Sequence, residues 1–244
     1  MDAARHYAQL VDPDSQTSPH LVRRALATAL AGHRLVEPIL DLGTGVGGNV
    51  PLLQEHGRVI GVDISVSALA DAKRQTEVVA ADAAALPFAA ATFGGALCTE
   101  VLEHVDDPGP VFAEMYRVLR PEAVAIVTTP NYSNPVGLHK LIADRRSGRH
   151  DYNPWGAHEG GYEAFMTGRR LWRAARPYFA LTTVCAIDYG QALTGRFSLT
   201  DRIALHPRIY PWLERLVPWL EQPHRGLGFL AWHGMHVQLI LRRR

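Results

Sequence analysis

The sequence predicts an α/β fold, a doubly wound and mainly parallel sheet, and three observations carry that expectation. Short apolar runs alternate with amphipathic stretches between residues 39 and 129, a glycine cluster at 43–48 follows the first run, and the first three runs each close on aspartate. Right-handed crossovers between parallel strands put helices on both faces of such a sheet.

The order of elements begins with SPHLVRRALATALAG (18–32), which offers a capping serine at Ser18, a proline at the first helical position, spaced aliphatics and a stopping glycine at Gly32. These are the marks of a helix. An apolar run ending in Asp41 and Leu42 predicts the first strand, and the stretch from the glycines to His56 predicts the next helix. RVIGVD (58–63) reads as the second strand with a helix capped at Ser65 behind it, and EVVAAD (77–82) as the third with an alanine-rich turn. TFGGALCT (92–99) is the fourth strand, PVFAEMYRVLRP (110–121) a helix with apolar residues at 111, 112, 115, 118 and 119, and 123–129 the fifth strand. After Pro130 a Gly-, Pro- and Asn-rich stretch, with a short helix expected at 137–143, has the length of a binding loop or lid. A helix at 167–176, a strand at 179–187, a second insertion at 188–227 and a last strand within FLAWHGMHVQLILRR (229–243) complete the chain. That last strand is expected to pair antiparallel at or near the sheet edge. The expectation is one domain over 1–244, with its core at about 18–131, 162–187 and 228–244 and insertions at 132–161 and 188–227.

With 25 basic and 24 acidic side chains among 244 residues, the net charge of +1 recruits neither nucleic acid nor an anionic membrane. Small-molecule chemistry is the better expectation. Cys98 and Cys185 both sit in apolar runs and read as buried reduced thiols. No run has signal-peptide character or the length of a membrane span, so a cytoplasmic protein is expected. The oligomeric state is open, a homodimer included.

Glycines 43, 45, 47 and 48 let the backbone turn sharply and approach a ligand, and the helix beyond offers free amides. Asp63 stands about twenty residues on, where a carboxylate can accept both hydroxyl hydrogens of a ribose, a device that nicotinamide enzymes share. Asp41 before the glycines and Asp82 at the third strand end, which could accept an adenine amino group, argue against a nicotinamide cofactor. In an open α/β sheet Asp41, Asp63, Asp82 and Thr99 should line one rim, with the three carboxylates facing one cleft.

Asp41-x-Gly43-x-Gly45-x-Gly47, Asp63, Ala81-Asp82, Leu86-Pro87-Phe88, Glu100-Val-Leu-Glu103-His104-Val and Leu119-Arg-Pro121 together resemble class I S-adenosylmethionine-dependent methyltransferases, in their small single-domain subfamily. The resemblance runs from about residue 36 to 131. It implies a Rossmann-like sheet of seven strands with the last antiparallel, S-adenosylmethionine as cofactor and a small-molecule acceptor. It also implies that the Gly43 to Gly47 loop wraps the methionine part, that Asp63 holds the ribose and that Asp82 with Ala83 reads the adenine, with Asp41, Gly43, Thr44, Gly45, Ile64 and Thr99 among the cofactor-binding residues. Tyr7 resembles an aromatic that closes over the cofactor, and could equally staple the first helix to the sheet. The chain departs from the family at Phe93-Gly94, where many relatives have Phe-Asp, and at Pro121-Glu122-Ala123, where they turn with Pro-Gly-Gly.

An activated methyl needs mainly an aligned acceptor, with a general base where that acceptor is a phenol, alcohol or ammonium. Glu100, Glu103 and His104, spaced i, i+3 and i+4, are expected on one helical face, and Glu103, His104 and His158 are the candidate catalytic groups. The same Glu-x-x-Glu-His string resembles ubiquinone-pathway O-methyltransferases, where it is implicated in magnesium binding. An imidazole is an uncommon magnesium ligand, so no metal is expected; were one needed, Glu100, Glu103 and His104 would hold it. Arg145, Arg146 and Arg149 read as a solvated cluster. Tyr132, Trp155, Tyr162, Trp212 and Trp219 fall in or beside the insertions, which favours a flat or apolar acceptor such as a quinone precursor or polyketide. The readings held against this one are a non-catalytic cofactor-binding subunit and a nicotinamide-dependent oxidoreductase.

Overall fold

The computed structural model describes residues 18–134, 137, 141–142, 145–146, 164–187, 232–234 and 236–244. Its elements are α1 (Ser18–Gly32), β1 (Ile39–Leu42), α2 (Val50–Gln54), β2 (Val59–Asp63), α3 (Val66–Ala72), β3 (Glu77–Ala80), β4 (Phe93–Thr99), a 3-10 turn (Leu102–His104), α4 (Gly109–Val118), β5 (Leu119–Pro130), α5 (Gly168–Ala175), β6 (Phe179–Ile187) and β7 (His236–Arg243). The seven strands lie in one sheet in the order β3-β2-β1-β4-β5-β7-β6. β1 to β5 pair in parallel, and β7 runs antiparallel between β5 and β6. Strand order reverses between β1 and β4, and in such sheets a ligand crevice opens beyond the carboxyl ends at that point.

Local sequence explains the helix starts. The Ser65 hydroxyl accepts the Ala68 amide at 3.4 Å to cap α3, and the Thr167 hydroxyl accepts the Arg170 amide at 3.1 Å to cap α5. Alternation along β5 then feeds two cores: Ala125 and Val127 join Phe112, Met115, Leu171 and Phe179 on one face, while Ile126 joins Leu26, Leu30 and Ile240 on the other. Cys98 and Cys185 are buried and free of any disulfide. Burial holds the Cys98 thiol far above its ordinary range, so it packs as a small apolar side chain. Among the described residues, no helix is long and apolar enough to cross a membrane.

Several boundaries differ from expectation for identifiable reasons. β7 is described over His236–Arg243, preceded by the carbonyls of Trp232 and Gly234, which accept from the Asn131 amide group at 2.9 and 2.8 Å; residues 229–231 and 235 lie outside the described residues. β5 begins at Leu119, which pairs with Phe93 before the register shifts ahead of Gly95 and Val124. The family departure at Gly94 is steric: Val36 bridges to this residue, and a Cβ here would run into the Val36 carbonyl oxygen. Glu122, where relatives turn with glycine, adopts φ 64°, a conformation that side chains disfavour. In the first insertion, residues 137, 141–142 and 145–146 are helical, and Arg145 and Arg146 are exposed; Arg149 and the whole of the second insertion lie outside the described residues.

Candidate active site

The glycine loop leaves β1 with Gly43, Gly45 and Gly47 at φ 77°, 54° and 89°, the left-handed region that glycine enters without penalty. The Gly43 and Thr44 amides both donate to the Val62 carbonyl, at 2.7 and 3.0 Å, which stitches the loop over the end of β2. The glycines do different work. A Cβ on Gly43 would collide with the Val101 side chain, whereas one on Gly45 would meet nothing within 4 Å. The loop therefore presents bare backbone to open space at Gly45.

Asp63, the last residue of β2, accepts the Gly45 amide on Oδ2 at 2.9 Å and the Ser65 amide on Oδ1 at 2.8 Å. Each carboxylate oxygen keeps a further lone pair, so Asp63 can brace the loop and still accept two hydroxyl hydrogens. Ile64 beside it is 75% exposed, an apolar side chain left at the rim. Asp82 lies two residues beyond β3 rather than at its end. Its Oδ1 accepts the Ala84 amide at 2.8 Å, and Oδ2 has no hydrogen-bond partner among the described residues.

Asp41 behaves otherwise than expected. It is the third residue of β1, is 1% exposed, and accepts the Thr44 hydroxyl on Oδ2 at 2.7 Å. Burial pushes its carboxyl up to about 6; the Thr44 hydrogen bond opposes the shift and the charge of Asp63 adds to it. Asp41 thus supports the loop from beneath, so the expectation that it shares an open cleft with Asp63 and Asp82 does not hold for this residue.

The rim after β4 is also rearranged. The Thr99 hydroxyl is buried with no hydrogen-bond partner among the described residues. Glu100 takes φ 56° and extends its carboxylate to 3.4 Å from Nε2 of His236, at the start of β7. Glu103 is 2% exposed and accepts the Thr129 hydroxyl at 3.0 Å, while His104, with its side chain 43% exposed, stands 3.9 Å from Glu103. The expected common helical face of Glu100, Glu103 and His104 does not form, because a single 3-10 turn covers only Leu102–His104 and the left-handed Glu100 swings toward β7. Among the described residues no three His, Cys, Asp or Glu side chains converge as a metal-binding group.

The contacts of His236 and Asn131 were not legible in the sequence. The Asn131 carboxamide donates to the carbonyls of Trp232 and Gly234 and accepts the Gly168 amide at 3.2 Å, so it joins the end of β5, the start of α5 and the approach to β7. Only strand order brings those segments together. Tyr132, expected to line an acceptor pocket, is 2% exposed and stacks on Phe165 at 5.4 Å between ring centroids, so it packs the body instead. Tyr7, Trp155, His158, Tyr162, Trp212 and Trp219 lie outside the described residues.

Residues 40–127 match the family model described as a methyltransferase domain. The chain is 36% identical over 121 residues to a ubiquinone/menaquinone biosynthesis C-methyltransferase of Desulfotalea psychrophila, an alignment covering 46% of this chain and 49% of that protein. It is 27% identical over 230 residues to an uncharacterized methyltransferase of Mycobacterium marinum, covering 91% and 84%. A crystal structure of a S-adenosylmethionine-dependent methyltransferase from Thermotoga maritima, described as a possible histamine N-methyltransferase, superposes with a TM-score of 0.61 at 18% identity, covering 92% and 89%. The chain spans about half the length of the first curated relatives it matches.

Proposed function

We propose, on the premise that residues 40–127 form a methyltransferase domain, that the protein binds S-adenosylmethionine beyond the ends of β1, β2 and β4 and passes its methyl group to a small acceptor. The observation that carries this reading is the Asp63 carboxylate, which is held by the amides of Gly45 and Ser65 and retains acceptor capacity toward the cleft.

The residues present suit such a cofactor. Asp63 would take the ribose hydroxyls, Oδ2 of Asp82 the adenine amino group beside Ala83, and the bare backbone around Gly45 the methionine part. Once bound, the sulfonium supplies a methyl group that is already activated. The protein's task is then to align the acceptor and exclude water. Among the catalytic candidates, His104 is exposed enough to receive a proton from an acceptor hydroxyl, with Glu103 fixed behind it by Thr129; His158 is retained as a second candidate. No step in this scheme requires magnesium. For the acceptor we favour an apolar or aromatic metabolite such as a quinone precursor or polyketide, a preference supported by the similarity to the Desulfotalea ubiquinone/menaquinone biosynthesis C-methyltransferase.

The test is incubation of the pure protein with isotope-labelled S-adenosylmethionine and a metabolite extract, followed by mass spectrometry. A labelled small molecule formed together with S-adenosylhomocysteine is the expected result. Cofactor that stays bound and unconverted across extracts would point to a binding subunit instead.

A further inference from the structure

The segment joining β3 to β4, residues 81–92, carries Asp82 and Ala83 but has no helix of its own to hold it. Its ties to the body converge on one side-chain pair in α4. Glu114 accepts the Leu86 amide at 2.7 Å, and the Arg117 guanidinium donates to the carbonyls of Leu86 at 2.8 Å and Phe88 at 2.6 Å. Glu114 in turn holds the guanidinium through Nε and Nη2, both at 2.7 Å. The Arg117 carbonyl also accepts the Ala91 amide at 2.9 Å, so the segment wraps around this one residue. Paired hydrogen bonds of this kind fix orientation as well as distance.

Asp82 stands between two posts. On one side the Ala81 amide donates to the Asp63 carbonyl at 3.1 Å, and on the other Leu86 is gripped by Glu114 and Arg117. We propose that Arg117 and Glu114 are positioning residues for base recognition, which aim the Asp82 carboxylate through Leu86 and Phe88 and so set a preference for adenine over a base lacking the exocyclic amino group. The inference rests on the cofactor reading above. A carboxylate accepts an amino hydrogen but repels the carbonyl oxygen that hypoxanthine carries at the same place, so the preference depends on where that carboxylate points.

Calorimetric titration with S-adenosylhomocysteine and S-inosylhomocysteine measures this directly. The protein should prefer the adenine ligand by about tenfold or more, the scale of one hydrogen bond to a charged group. Asp82→Asn should erase the preference. Arg117→Met should reduce it severalfold, and Arg117→Lys, which keeps one donor, should restore part of it. A purely structural role would lower thermal stability and leave the ratio of the two affinities unchanged. If Arg117→Met fails to fold, Glu114→Gln, which weakens the Leu86 tie, is read by the same ratio. An unchanged ratio in the α4 variant, with the preference lost in Asp82→Asn, overturns the positioning role and leaves the cofactor reading standing. Equal affinity of the unmutated protein for both ligands removes the Asp82 role and this inference together. Absence of binding by either ligand overturns the cofactor reading itself.

Discussion

The Gly45 amide donates to the Asp63 carboxylate at 2.9 Å, across the gap between the turn after β1 and the end of β2. One side chain therefore shapes the loop and, with its second oxygen on the Ser65 amide, still keeps a lone pair on each oxygen. Asp63→Ala should lose both contributions and weaken S-adenosylmethionine binding about ten- to hundredfold, since charge-assisted hydrogen bonds to two hydroxyls are removed. Calorimetric titration checks it, and unchanged affinity would remove Asp63 from the site.

Gly43 and Gly45 should fail in different ways. Gly43→Ala drives a Cβ into Val101 and should lower the melting temperature sharply. Gly45→Val has open space in the free protein and suffers mainly from its φ of 54°, about 1–2 kcal/mol, but fills the space where a ligand must lie. It should fold and bind cofactor more weakly than Asp63→Ala. Thermal unfolding paired with titration separates the two outcomes.

The buried Asp41 makes stability depend on pH. Its carboxyl is raised from 3.8 to about 6 in the folded protein, so the folded state holds the proton more tightly than the unfolded chain does. That contribution is complete below about pH 4 and is lost as pH rises through about 6, at a cost of up to about 3 kcal/mol. Asp41→Asn removes the charge and can still accept the Thr44 hydroxyl. It should raise the melting temperature at pH 8, and the gain should vanish at pH 4. Equal gains at both values would show that the carboxylate does not titrate as described.

Glu122 occupies a glycine conformation at φ 64°, and its pairing with Arg242, at 3.6 Å, is between exposed groups that contribute little. Glu122→Gly should stabilise the protein by about 0.5–1 kcal/mol, or roughly 1–4 °C in melting temperature. Glu122→Ala keeps the strain and should leave the melting temperature almost unchanged. A glycine variant no more stable than the alanine one would mean that the turn carries no relievable strain.

The Glu103 carboxylate is committed to the Thr129 hydroxyl, and Glu100 points to His236. We expect EDTA to leave the methylation rate unchanged. Loss of activity with recovery on adding magnesium would assign the pair a metal after all, and would favour an acceptor that chelates through two oxygens.

Much of this arrangement was legible in the sequence because short-range chemistry dictates it. Ser65 and Thr167 announce their helices, the apolar runs place β1 to β4 and β6 within about two residues, and Gly43 to Gly47 mark a turn that only glycine enters easily. What escaped depended on contacts between distant segments. Asp41 reads as a rim carboxylate until the strands on either side bury it, and the i, i+3, i+4 spacing of Glu100, Glu103 and His104 implies a helix that Glu100 declines to join. His236 meets Glu100 only because β7 enters the sheet beside β5, an event that no local pattern encodes.

Among the described residues β6 bonds to the sheet only through β7, and β7 alone links it to β5. During synthesis the segment 179–187 therefore leaves the ribosome some fifty positions before β7, the strand that joins it to the rest of the described sheet. The five parallel strands, with the glycine loop and Asp63, have all emerged by then and can assemble first. The part that carries the glycine loop and Asp63 is thus in a position to mature ahead of β6 and β7, and a stalled or clipped chain would present a strand edge open to pairing with other molecules.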